Sequence, residues 1–171
     1  MHKSPPAILR AVPAYLAALA VWLVPQDSLA ATSTTTFQVQ ITIQAAFAIN
    51  SATTLDFGTH GILTTNTDAT STITVQCTLL TPYNVGLNVG TGTGATAAAR
   101  LMTSSASNTV TYSLYRDASR LLVWGETIGT DTVAGTGTGL AVGHTVYGRV
   151  PAQTTPTPAL YTDTITVTVT F

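Results

Sequence analysis

The sequence predicts an all-β chain folded as an immunoglobulin-like β-sandwich, and three observations carry that prediction. Charged residues make up 8% of the 171, against a usual quarter, while 45% are hydrophobic. About a fifth of the chain is threonine, a β-former that also serves as a neutral surface residue. Apolar and polar residues alternate in about seven short runs, separated by turns drawn from 13 glycines and 8 prolines. The scarcity of lysine and glutamate disfavours long surface helices. The same composition excludes whole classes of function. Six Lys+Arg against seven Asp+Glu give a formal net charge of −1, which cannot neutralise a phosphate backbone. A nucleic-acid binder is therefore not expected. Charge-driven disorder is excluded by the apolar content.

Residues 1–30 read as a secretory signal. His2, Lys3 and Arg10 give a basic start, residues 11–24 an apolar stretch, and Ser28, Leu29 and Ala30 a cleavage site with small residues at −3 and −1. The stretch is shorter than the roughly 20 residues of a membrane span, and Pro13 and Pro25 bracket it. The mature chain is expected to start at Ala31 and to be exported. Its strands then follow in order. Phe37, Val39, Ile41 and Ile43 alternate with Gln38, Gln40, Thr42 and Gln44, and Ala45, Phe47 and Ile49 keep the phase. Residues 72–77, 83–89 and 109–115 alternate too, the last with Val110, Tyr112 and Leu114 on one face. Residues 121–124 form a short apolar run and 145–150 a further strand. Ile165, Val167, Val169 and Phe171 alternate with threonines in the final strand. Residues 95–102 have room for one helical turn at most, and the glycine-rich stretches 90–94 and 135–139 read as hairpin loops.

Candidate chemistry is sparse. Cys77 is the one cysteine, so an internal disulfide and a Cys-based zinc site are excluded by count, and a buried strand cysteine is expected. His60 and His144 read as histidines of Gly-flanked turns, and the pair Asp56–His60 has no third metal ligand at a suitable spacing. Ser104, Ser105 and Ser107 lack a nucleophile-elbow setting. The Gly-Thr-Gly-Thr-Gly runs lack the Lys-Ser/Thr ending and the helix of a phosphate loop. Asp117, between Arg116 and Arg120, reads as a strand-end residue. Tyr115, Trp124 and Tyr147 fit core positions better than a sugar site. An enzyme is not expected, and neither is a cofactor, a metal or a small-molecule substrate.

The uncharged alternating segment after the leader has two destinations. It pairs inside its own domain, or it completes the sheet of a neighbour by strand addition. Further motifs then bear on that choice. Leu55-Asp56-Phe57-Gly58, Val75-Gln76-Cys77 before Pro82-Tyr83, and Arg100-Leu101-Met102 follow one another along the chain. Tyr112-Ser113-Leu114-Tyr115-Arg116-Asp117, Trp124-Gly125, Val146-Tyr147-Gly148-Arg149-Val150-Pro151 and Tyr161-Thr162-Asp163-Thr164 complete the series. In order and spacing they resemble the spore coat protein U domain family, which includes pilus subunits of archaic chaperone–usher fimbriae. The resemblance covers nearly all of the mature chain.

That resemblance implies a sandwich missing its last strand, with a signal at 1–30, a donor strand at 31–44 and a pilin domain at 45–171. A periplasmic chaperone would fill the open groove first. At an outer-membrane usher, the N-terminal strand of the next subunit would replace it. Phe37, Val39, Ile41 and Ile43 would be the donor side chains. The final strand, with Ile165, Val167, Val169 and Phe171, would form one edge of the groove. The implied partners are neighbouring copies or related pilins, the implied location is the cell surface, and the implied role is a fimbrial subunit supporting adhesion or biofilm. The alternative is a self-complemented secreted adhesive or glycan-binding module, or a spore-coat-like structural protein. Two departures from the family pattern stand out. Phe47 occupies the place of the cysteine that would pair with Cys77, and Ala159 replaces the usual glycine before the final Tyr-x-Asp segment.

Overall fold

The computed structural model describes residues 31–171, so the expected signal at 1–30 lies outside the described residues. Residues 31–40 carry no strand, and Phe37 and Val39 are exposed. Ile41–Phe171 form a compact unit of their own. In it the described residues make eight strands: β1 Phe47–Ala52, β2 Thr67–Cys77, β3 Pro82–Leu87, β4 Arg100–Thr103, β5 Thr109–Tyr115, β6 Val133–Thr136, β7 Ala141–Val150 and β8 Val167–Thr170. They form a five-stranded sheet in the order β1-β2-β7-β5-β4 and a three-stranded sheet in the order β6-β3-β8. Every pairing between these strands is antiparallel.

Alternation decides which face of each strand turns inward. Ile73, Val75 and Cys77 of β2, Val110, Tyr112 and Leu114 of β5, and Val146 and Val150 of β7 are buried on the inner face of the larger sheet. Tyr83, Val85 and Leu87 of β3 and Val169 of β8 answer from the smaller one. Trp124 fills the space between them without exposure, its Nε1–H donating to the Val85 carbonyl at 2.8 Å.

Several expectations need correction. Residues 95–102 hold no helical turn; a bridge between Thr96 and Ala99 leads directly into β4. β6 starts ahead of the expected 135–139 loop and takes Gly135 into the strand, because a glycine there leaves room for the Tyr83 ring. Residues 121–124 form only a bridge, Val123 to Tyr115. His144 lies within β7, not in a turn, and its ring stands edge-on to Tyr83 with Nε2 3.0 Å from the Tyr83 hydroxyl. The run from Phe37 to Ile43, for which either its own sheet or a neighbour's stayed open, carries no strand here, which leaves the donor reading as it was.

The most consequential buried group is a charge. Arg100, at the start of β4, is fully buried and donates only to backbone carbonyls. Nε reaches Asn88 at 3.0 Å, Nη1 reaches Ala97 at 2.7 Å, and Nη2 reaches Leu87 at 3.1 Å and Trp124 at 2.7 Å. Burial pulls its pKa down from the usual arginine range, with Tyr112 and Asp163 pulling the other way. A guanidinium suits the task because its fork serves several acceptors at once. It ties β4 of the larger sheet to the end of β3 in the smaller.

Replacing Arg100 with methionine leaves these carbonyls without their donor, at about 1–3 kcal/mol for each that water does not reach. Arg100→Met is therefore expected to lose roughly 3 kcal/mol or more in urea unfolding, and Arg100→Lys to recover only part of it. His144 sets a pH dependence. Burial holds its imidazole below the usual histidine range. The unfolded chain then takes up a proton near about pH 6.5 that the folded chain refuses. The contribution is complete above that value and is lost as pH falls toward the folded pKa. The urea midpoint is expected to drop between about pH 7.5 and about pH 5.5, and to drop less in His144→Gln.

Candidate functional site

β1 and β8 are the end strands of their respective sheets, β1 bonded to β2 and β8 to β3. Between the chain leaving β1 and the chain entering β8 runs a groove of about 560 Å³, which takes Ala52 from β1 and Val167 from β8. One wall is residues 52–57, the other residues 160–167, and the floor is Ile73, Leu87, Tyr112, Leu114 and Val146. The Phe47 and Phe171 rings, 4.8 Å apart, approach each other at one end. Toward the other end Leu55, Phe57, Leu160 and Tyr161 also line a second recess of about 390 Å³, between loop 58–63 and the proline-rich segment 155–159.

The first wall follows from two motifs meeting in space. Leu55 and Phe57 pack directly over Gly148 of β7, where a Cβ would stand 2.8 Å from Leu55 and 2.9 Å from Phe57. The ring of Phe57 meets Tyr112 edge-on at 6.2 Å. The chain turns away at once: Asp56 Oδ1 accepts from the Gly58 amide at 2.8 Å, and Gly58 takes a φ of +80°, which suits glycine. His60 Nε2 lies 2.6 Å from the Phe57 carbonyl, so this histidine braces the turn.

The second wall hangs on Asp163. Its carboxylate accepts from the Tyr112 hydroxyl at 2.7 Å, from the amide and hydroxyl of Thr91 at 2.8 Å each, and from the Thr164 amide at 2.8 Å. Gly90 passes so close that any side chain would collide with this carboxylate. Burial, then the bond to Asp163, push the Tyr112 phenol far above its ordinary range, so Tyr112 stays a neutral donor. The Tyr161 hydroxyl donates to the Thr157 carbonyl at 2.7 Å, and Thr162 bridges Thr103 of β4.

The structure treats the expected edge residues differently. Ile165 and Val167 line the groove, Val169 is buried in the core, and Phe171 meets Phe47 at the groove's end. The expected donor residues do not line it. Ile41 is 83% exposed and Ile43 72%, and residues 41–46 carry no strand. Reading the sequence alone did not assign Leu55, Phe57, Met102 or Leu160 to the groove. The available signal was the pairing of the Leu-x-Phe-Gly motif with Gly148. Phe47 stands directly opposite Cys77 in the β1–β2 ladder, where a bridging cysteine would sit. Cys77 is buried, and desolvation raises its pKa, so it is poorly reactive. Just beyond, Thr78 holds the approach to β1. The Ala46 amide donates to Thr78 Oγ1 at 2.9 Å, and the Thr78 amide donates to the Ala46 carbonyl at 3.0 Å.

Comparison with known proteins bears on family and fold. The family model of the Spore Coat Protein U domain matches residues 33–168. "Protein U" of Myxococcus xanthus is 34% identical over 156 residues, covering 83% of this chain and 87% of that protein. Among solved structures, a chain of the CsuC–CsuE chaperone–tip adhesion subunit pre-assembly complex, from the archaic chaperone–usher Csu pili of Acinetobacter baumannii, is similar in fold. Its TM-score is 0.55 at 24% identity, over 76% of this chain and 40% of that one. The chain thus spans less than half the length of that structural neighbour.

The Phe47–Cys77 register makes a direct prediction. Phe47→Cys is expected to form a disulfide with Cys77 on oxidation, seen as loss of free thiol. The bridge should stabilise the fold against urea by about 2–4 kcal/mol relative to the reduced variant.

Proposed function

The chain belongs to the Spore Coat Protein U domain family, and we propose that it is a structural subunit of a surface fibre, assembled by donor-strand exchange. The observation that carries this reading is the open groove between residues 52–57, which leave β1, and residues 160–167, which enter β8. Its floor is aliphatic and aromatic, and its walls continue from the end strands of the two sheets. Such a site suits an extended strand with apolar residues at every second position, since the ladder bonds and the side-chain subsites are then used together. The segment carrying Phe37, Val39, Ile41 and Ile43 has that alternation, and it is not a strand within its own chain.

The energetics are adequate. Four apolar side chains moved from water into the groove contribute roughly 6–12 kcal/mol, an upper value because a free strand is partly collapsed. Each ladder hydrogen bond adds about 0.5–1.5 kcal/mol. Head-to-tail donation is heterologous, so it propagates as an open filament. On this reading the chain is exported through the periplasm. A periplasmic chaperone covers the groove until an outer-membrane usher brings up the next subunit. The product is a cell-surface fimbria serving adhesion or biofilm. The Thr78 bonds to Ala46 disfavour the self-complemented alternative, because they hold the chain along the end of β2 where it would have to turn back toward its own groove.

The test is an SDS gel of the exported protein under reducing conditions, loaded with and without boiling. A ladder that collapses to one band on heating is expected for the wild type. Ile41→Asp and deletion of residues 32–44 are each expected to leave monomer only, with the β-sheet circular dichroism signal of the chaperone-bound subunit retained. A wild-type monomer band in both lanes would remove the homopolymer reading.

A further inference from the structure

The register of the strands defines two poles of the Ile41–Phe171 unit. At one pole lie the start of β1, the end of β2 and the starts of β3 and β7, because Phe47 pairs with Cys77 and Gln76 with Ala141. The β2–β3 and β6–β7 turns are stitched together there. Leu80 donates its amide to the Gly137 carbonyl at 2.8 Å, and Gly139 donates to the Cys77 carbonyl at 3.1 Å. These turns expose three large apolar side chains, Leu79 at 63%, Leu80 at 77% and Leu140 at 72%. Leu80 also holds a φ of +62°, a left-handed conformation that glycine or asparagine adopts more readily. The fold would be easier without a leucine at this position, which directs attention to what the side chain meets outside the unit.

At the opposite pole, β2 begins opposite the end of β7, Thr67 pairing with Val150. Here the second recess opens, lined by Pro156, Pro158 and Leu160 against Phe57 and Leu63. Leu160 is itself exposed.

We infer that the leucine pole of one copy docks on the proline-lined recess of the next copy of the same chain. This rests on the strand-exchange reading and follows from its geometry. Thr78 ties Ala46 to the leucine pole, and only residues 44–46 separate Ile43 from Phe47. Three extended residues span about 10 Å, so a neighbour holding Ile43 is held against the turn that carries Leu79 and Leu80. The insertion direction selects the opposing surface. A donor parallel to β8 would bring Ile43 out at the neighbour's leucine pole, and each such pole would have to accommodate both the preceding and the following copy within that reach. A donor antiparallel to β8 emerges at the proline pole. The two poles then meet pairwise, and the contact repeats without limit. Burying the leucines against the recess removes two exposed apolar patches in one contact.

The test places Leu79→Cys and Leu160→Cys together in a Cys77→Ser background and treats assembled fibres with a short bismaleimide. Covalent oligomers that survive boiling with reductant are expected from the double-cysteine chain, and none from either single-cysteine control. A companion variant, Leu79→Ser with Leu80→Asn and Leu140→Thr, is expected to keep the heat-labile ladder while its fibres lose at least about threefold in persistence length by electron microscopy. A normal heat-labile ladder without crosslinks overturns the docking surface and leaves strand exchange standing. Absence of the ladder from the wild type overturns both.

Discussion

The guanidinium of Arg100 is the interaction on which the rest of this sandwich depends. A sandwich with an open groove cannot rely on apolar closure alone to fix the distance between its sheets. Arg100 supplies a directional constraint in its place, bonded to the carbonyls of Leu87, Asn88, Ala97 and Trp124. A buried charge is costly unless every direction is matched. The cost of mismatch resists sliding of β4 relative to the end of β3.

The groove walls repeat the same economy with smaller parts. Gly148 lets Leu55 and Phe57 lie flat on β7, and Gly90 lets Asp163 gather Tyr112, Thr91 and Thr164. Each wall is therefore set by a position where a side chain is forbidden. The polar groups nearby are occupied in bracing the backbone: Asp56 and His60 hold the turn after Phe57, and Asp117 accepts from the Leu121 and Leu122 amides. The absent cysteine partner fits the same pattern, with Phe47 opposite Cys77 and its ring against Phe171. The side chain that stands where a covalent link would have joined β1 to β2 instead reaches the residue that follows β8.

A fibre built from such units would owe its direction to asymmetry between poles. The donor segment leaves from the pole of Thr78 and Leu79, while the recess beside Leu160 lies at the other. Self-complementary faces would close into dimers. Unlike faces at opposite ends extend instead.

Much of this was legible in the residues alone, for a local reason. Alternation of period two is written into each strand separately, so β2, β3, β5, β7 and β8 could be located from Ile73, Val85, Tyr112, Val146 and Val169 without any partner. The same periodicity marked Phe37 to Ile43 as strand-forming but could not say whose sheet it completes, because pairing is a property of two segments. β4 and β6 were missed for a related reason. Arg100 and Gly135 look wrong for a strand until the carbonyls around one and the Tyr83 ring over the other are in place. His144 was read as a turn residue because glycine precedes it, yet pairing with Ile73 of β2 keeps β7 extended through it. The sequence by itself determined an all-β chain with a spare apolar segment and no spare charge. Only the tertiary structure decided that β1 and β8 end their sheets on either side of a groove, since edges, and the vacancy between them, exist only once distant strands have paired.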